Sequence, residues 1–307
     1  MKLASYIGKN GRIHVGAVVH EYVIDLSDAI AKFALSQESA DELARRGIVA
    51  PAGGMLRLLY AGPSALNQLA QQVESLAKDE TRRSKLCEHT LLAPVPRPGK
   101  IVAVGRNYAD HAKETGVDPF EKPRIISKLS SSATGHGSTV RRPTAVAKMD
   151  FEVELGVVIG AFAHGVPRAR ALEVVAGYTV LNDLSAREFQ FDVSPPQTTF
   201  AKSMDGFCPM GPWLVTRDEI PDPQSLELSC FVNDREMQRG NTTDMIFPVD
   251  RLIEYVSDYM TLEPGDVIAT GTPAGVGAFR KPPVWLAPGD RVRIEVSRIG
   301  VLENKIE

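Results

Sequence analysis

Cysteine is scarce in this chain, with three residues in 307, Cys87, Cys208 and Cys230. An odd number at spacings that fit neither a zinc site nor a disulfide framework excludes a cysteine-stapled fold, and all three are expected to be buried thiols. No stretch approaches the ~18 consecutive apolar residues of a membrane span. The opening residues reach Gly8, Lys9, Asn10 and Gly11 without the apolar block of a signal peptide. Charge of one sign is not in excess: Lys and Arg number 35, Asp and Glu 38, for a net charge of -3. No basic stripe marks a nucleic-acid face, and Arg141-Arg142 is too short to make one. Internal repeats and low-complexity tracts are missing as well. These absences leave a soluble, cytoplasmic protein, long enough for one large domain and a small one, with no membrane or nucleic-acid partner.

The first residues alternate as a hairpin, 2–7 and 12–19 around the turn at Gly8-Lys9-Asn10-Gly11. Helical patterns follow over 27–46 and 63–86, the second with Leu66, Leu69, Val73 and Leu76 at 3-4 spacing. Three prolines and a glycine between Leu91 and Lys100 read as a linker, dividing the chain into a small α+β N-terminal domain (1–90) and a larger domain (95–307). Beyond the linker, short apolar strands between Pro-Gly and Asp-Gly turns predict a mixed β fold with only two clear helices, over 185–190 and 249–259.

Within Phe151-Glu152-Val153-Glu154-Leu155 two carboxylates alternate with apolar residues in a strand pattern, so Glu152 and Glu154 share one face. Alone, such a pair is most often a solvated strand face. Asp183 ends the strand-like run from Gly177 and is either a helix cap or a third carboxylate, with Arg187 and Gln190 on one face of the helix beyond it. Three such acids would form an all-oxygen site with open positions, which suits Mg²⁺ or Mn²⁺ better than zinc. His111 and Glu114 stand at i and i+3 and form either an exposed helix pair or a dyad whose carboxylate orients a basic imidazole. Gly116 and the Asp118-Pro119 turn after them would let the segment 110–120 act as a lid. Lys202 reads as part of an apolar strand, either snorkelling or poised to stabilise an enolate oxygen. The loop from Thr270 to Gly277 is either a plain turn or a cradle whose amides and Thr272 hydroxyl bind a carboxylate; it lacks the Gly-Lys-Ser/Thr of a nucleotide loop.

Five motifs occur in one order: Gly105-Arg106-Asn107-Tyr108-x-x-His111-x-x-Glu114, Glu152-x-Glu154-Leu155, Asn182-Asp183-x-Ser185-Ala186-Arg187-x-x-Gln190, Ala201-Lys202-Ser203 and Gly271-Thr272-Pro273-x-Gly275-Val276-Gly277. Over residues 95–307 this set resembles the fumarylacetoacetate hydrolase family. The resemblance implies a β-sandwich roll around a divalent metal, with homodimers common. Carried over, Glu152, Glu154 and Asp183 would be metal ligands, and His111 with Glu114 the water-activating pair, joined by Lys202. Arg187, Gln190, Thr272, Arg106 and Tyr108 would line the substrate pocket. Eukaryotic fumarylacetoacetate hydrolases carry a further acidic ligand seven residues before the histidine, where this chain has Val104. That departure makes it look like the bacterial branch of acylpyruvases and 2-hydroxyhepta-2,4-diene-1,7-dioate isomerases.

The implied function is a Mg²⁺- or Mn²⁺-dependent hydrolase that cleaves a 2,4-dioxo acid to pyruvate and a carboxylic acid. The same platform would serve an isomerase or decarboxylase of a 2-oxo or 2-hydroxydienoic acid, and a non-catalytic 2-oxo acid binder is the alternative of another class. Phe189, Phe191, Phe207 and Met210 are expected on the pocket's far wall. Their character admits an aromatic-degradation product or a diketo sugar acid alike.

Overall fold

The computed structural model describes residues 1–114, 116 and 118–307. A large mixed sheet runs in the order Arg83–Lys85, Tyr22–Asp25, Ile13–Val19, Lys2–Ile7, Cys208–Thr216, Val175–Asn182, Val153–Ile159, Val267–Ala269, Ile101–Gly105 and Arg124–Lys128. A second sheet of five strands, Arg235–Asn241, Glu227–Val232, Arg291–Val296, Gly300–Ile306 and Thr139–Val140, packs on one face. The expected hairpin is present, and its first strand pairs with Cys208–Thr216, so the N-terminal strands extend the large sheet.

Strand alternation sorts the central strand between two cores. Phe151, Val153, Leu155, Val157 and Ile159 join Leu228, Cys230, Val292 and Ile294 in the layer between the sheets. Val158 lies on the other face, in a core with Leu58, Leu59, Leu66 and Leu69 from the N-terminal helices. Each fully buried aliphatic side chain contributes about 1.5–3 kcal/mol, so these layers fix the register on which the site depends.

Several local expectations are corrected. The pattern over 27–46 forms two helices, Ser27–Lys32 and Gln37–Arg46, because the Ser36 hydroxyl accepts the Ser39 amide and starts a new helix. The second pattern ends at Leu76, and Arg83–Lys85 instead adds a strand beside Tyr22–Asp25. Of the thiols, Cys208 and Cys230 are buried, but Cys87 is exposed on a short 3-10 turn, Leu86–Glu88. The stretch expected as one helix over 185–190 is a two-residue strand, Ser185–Ala186, and a short helix, Glu188–Phe191. The helix over 249–259 is present as expected. No helix among the described residues is long and apolar enough to cross a membrane.

Candidate metal centre and active site

Sheet register brings the three acids together. Val153 pairs with Asn182 in antiparallel register, which sets Glu152 across from Asp183; the Asp183 amide donates to the Glu152 carbonyl at 3.0 Å. Glu154 lies one pleat further along the same face. One carboxylate oxygen from each of Glu152, Glu154 and Asp183 falls within 4.8 Å of the others, and all three residues are buried. Octahedral coordination at about 2.1 Å places ligand oxygens about 3–4.2 Å apart, so small side-chain adjustments suffice to hold Mg²⁺ or Mn²⁺.

Three buried cations surround these acids. Lys202 Nζ donates to Glu152 Oε2 (2.9 Å), Asp183 Oδ2 (2.6 Å) and Ser185 Oγ (2.9 Å). Lys128 Nζ donates to Asp183 Oδ1 (2.6 Å), the Phe207 carbonyl (3.0 Å) and the Lys202 carbonyl. Arg187 bridges Asp150 Oδ2 (2.8 Å) and Glu152 Oε1 (2.6 Å), and donates to Gln190 Oε1 (2.9 Å). Four acids, Asp150, Glu152, Glu154 and Asp183, thus face three cations, Lys128, Arg187 and Lys202. Among the described residues, Glu154 is the one of these four acids without an ion pair, and its Oε2 accepts the Gly271 amide at 2.9 Å. Burial, then Asp183 and Glu152, pushes its carboxyl well above the ordinary glutamate value. For Glu152 burial acts in the same direction, but Lys202, Arg187 and His111 overcome it and hold the group far below the usual range. The centre therefore lacks one positive charge, and each carboxylate has lone pairs to spare, so the donor set fits a divalent cation.

Beside the acids, His111 Nδ1 meets Glu114 Oε2 at 3.0 Å, and Glu114 Oε1 accepts the Gly275 amide at 3.0 Å. This contact orients the ring and leaves Nε2 as its working nitrogen. The glycine-rich loop, read from the sequence as a plain turn or a carboxylate cradle, has several of its backbone amides engaged within the protein. It spends them on the protein's own acids: Gly271 on Glu154, Ala274 on Asp110, Gly275 on Glu114, and Gly277 and Ala278 on Asp150.

A cavity of about 240 Å³ is lined by Arg106, His111, Glu152, Glu154, Asp183, Arg187, Gln190, Lys202 and Thr272, together with Arg124, Phe191 and Phe279. Glu114 stands behind His111. Tyr108 is a correction: it is fully buried in the core with Val102, Val104 and Met245, outside the cavity lining. Phe207 and Met210 are likewise core residues, while Phe191 does reach the cavity. Lys202 follows the short helix Thr198–Ala201 rather than sitting in a strand. All three of its protons are directed to Glu152, Asp183 and Ser185. Asp183 binds two lysines and caps no helix. The lid expected over 110–120 includes residues 115 and 117, which lie outside the described residues. Sequence reasoning missed Lys128, Asp150 and Arg124. Asp150 could have been found from its place directly before Phe151, but nothing local marks the other two.

A family profile described as fumarylacetoacetate (FAA) hydrolase C-terminal matches residues 100–307. The chain is 44% identical over 256 residues to the mitochondrial oxaloacetate tautomerase FAHD2A of Homo sapiens, a match covering 82% of this chain and 79% of that protein. The solved maleylpyruvate hydrolase from Sphingobium sp. SYK-6, in complex with manganese(II) ion and pyruvate, is 30% identical with a TM-score of 0.76, covering 100% of this chain and 98% of that one. The 2-hydroxyhepta-2,4-diene-1,7-dioate isomerase from Mycobacterium marinum is also 30% identical, with a TM-score of 0.71 and coverage of 100% and 98%. These relatives are enzymes of several reaction types. Because the family profile spans well over half of the sequence, this chain belongs to the fumarylacetoacetate hydrolase family.

Proposed function

We propose that the protein is a Mg²⁺- or Mn²⁺-dependent enzyme that takes a 2-oxo acid through its enolate, and that its reaction is hydrolysis of a 2,4-dioxo acid to pyruvate and a carboxylic acid. The observation that carries this reading is the single cavity shared by the buried carboxylates and His111, whose Nδ1 is held by Glu114. Glu152, Glu154 and Asp183 would hold the ion, which when bound supplies Lewis-acid stabilisation of charge on the 2-oxo oxygen. His111 Nε2 takes a proton from water, Glu114 stabilises the imidazolium, and the hydroxide adds to the distal carbonyl. The bond between that carbonyl carbon and C3 then breaks, its electron pair goes to the enolate, and the imidazolium returns the proton. Arg187 still has N–H groups beyond those given to Asp150, Glu152 and Gln190, and these can orient the substrate carboxylate.

A second reading is favoured by the likeness to oxaloacetate tautomerases. There His111 would move a proton between the enol form and C3 of the keto form, with no attacking water. One pair of assays separates them: pyruvate release from acetylpyruvate, and decay of enol absorbance in oxaloacetate, each with metal and with EDTA. Metal-dependent pyruvate release supports hydrolysis, and accelerated enol decay without it supports tautomerisation. Absence of both reactions, or rates indifferent to complete chelation, contradicts the proposal. A homodimer is part of the same proposal, and light scattering in solution checks it.

A further inference from the structure

Among the described residues, Arg187 and Lys202 deep in the cavity are ion-paired with the protein's own acids, but two cations at its more exposed end are not. Arg106 is half-buried and Arg124 exposed, and both line the same cavity as the carboxylate centre. Strand pairing places them side by side: Gly105 is in register with Arg124, and Arg106 follows Gly105 directly. The Arg124 stem lies over that glycine, where an added Cβ would come 3.4 Å from Arg124 Cδ and 3.1 Å from Ile126 Cδ1. Arg106 adopts φ +57, a conformation that costs a non-glycine residue about 1 kcal/mol or more. Among the described residues neither guanidinium has an ion pair; Arg106 meets only the Phe120 ring, 5.7 Å from its centroid. Among the described residues that line the cavity, the acids are Glu152, Glu154 and Asp183, at the buried end. Burial and the neighbouring charge of Arg124 both hold Arg106 below the ordinary arginine value. Two adjacent guanidiniums without a counter-charge, facing a cavity, make a site for an anion.

We propose that Arg106 and Arg124 form a second anion subsite, so that the substrate is a dicarboxylic 2-oxo acid whose far carboxylate they bind while its 2-oxo end sits at the carboxylate centre. This rests on the 2-oxo acid reading above and narrows it. It also assigns Arg124 a role in specificity, distinct from that of Arg187 at the other end.

The test is binding to the Mg²⁺-loaded protein, followed by calorimetry. Oxaloacetate, 2-oxoglutarate and 2-oxoadipate are each compared with the 2-oxo monoacid of equal chain length. At least one dicarboxylate binds wild type about tenfold more tightly than its partner, the worth of one charge-assisted hydrogen bond. Arg124→Gln and Arg106→Gln each reduce that ratio several-fold by weakening the dicarboxylate, and Arg124→Lys retains most of it. Ratios near one in wild type, or ratios unchanged in both glutamine variants, overturn the subsite and leave the 2-oxo acid reading standing. Failure of every 2-oxo acid to bind wild type overturns both.

Discussion

Replacing Lys128 with methionine removes a charge but little volume, so its effect isolates the electrostatic clamp behind the centre. Lys128 is 2% exposed, and its Nζ lies 2.6 Å from Asp183 Oδ1 while also donating to the carbonyls of Phe207 and Lys202. In Lys128→Met the charged Asp183 retains Lys202 on its other oxygen, but one oxygen and the carbonyls lose their donor in a place water does not reach. Breaking a buried ion pair from one side costs about 3–5 kcal/mol, and the near-isosteric methionine adds little strain. At about 2–4 °C per kcal/mol, the metal-free variant should melt roughly 6–20 °C below wild type. Urea denaturation of wild type, Lys128→Met, Asp183→Asn and the double variant measures both the loss and the coupling, expected at about 2 kcal/mol or more for a pair in contact. A Lys128→Met protein within about 0.5 kcal/mol of wild type, or strictly additive single changes, refutes the clamp.

His111→Ala should lower kcat by about 10²–10⁴-fold under either reaction while leaving Mn²⁺ affinity within about twofold, as steady-state kinetics and calorimetry will show. Gly275 holds φ +103, and an added Cβ would lie 2.3 Å from the Met237 carbonyl. Gly275→Ala should therefore cost about 2 kcal/mol or more in urea denaturation and displace the amide that holds Glu114. For Glu154 the folded carboxyl titrates above the ordinary value of 4.5, so the folded state binds more protons than the unfolded one across that interval. Stability of the metal-free protein should then fall as pH rises above 4.5 towards the raised value. Melting curves against pH should show a shallower fall in Glu154→Gln, and an unchanged slope would exclude Glu154 as the cause.

How much of this was legible in the sequence depended on whether the signal was local. Glu152 and Glu154 share a face because strand geometry demands it, and Asp183 joins them because a strand ending in an acid runs antiparallel to theirs. The His111–Glu114 contact follows from spacing within one helical turn. Arg124 reaches the cavity, and Lys128 reaches Asp183 behind it, only because Arg124–Lys128 is added beside Ile101–Gly105, a pairing that no local pattern announces. The same limit explains the glycine-rich loop. Its backbone amides carry no side-chain mark, so their true partners, the carboxylates of Glu154, Glu114 and Asp150, were visible only in three dimensions. Tyr108 misled because its neighbours Arg106 and His111 do face the cavity, while its own ring packs into the core.

Calorimetric titration of Mn²⁺ into the metal-free protein tests the carboxylate centre most directly, with wild type beside Glu154→Ala. One ion per chain should bind wild type, and loss of Glu154 should weaken binding by more than the roughly 10–100-fold that altering a ligand's outer partners costs. Equal affinity in the two proteins, or no binding to wild type, would contradict a centre built from Glu152, Glu154 and Asp183.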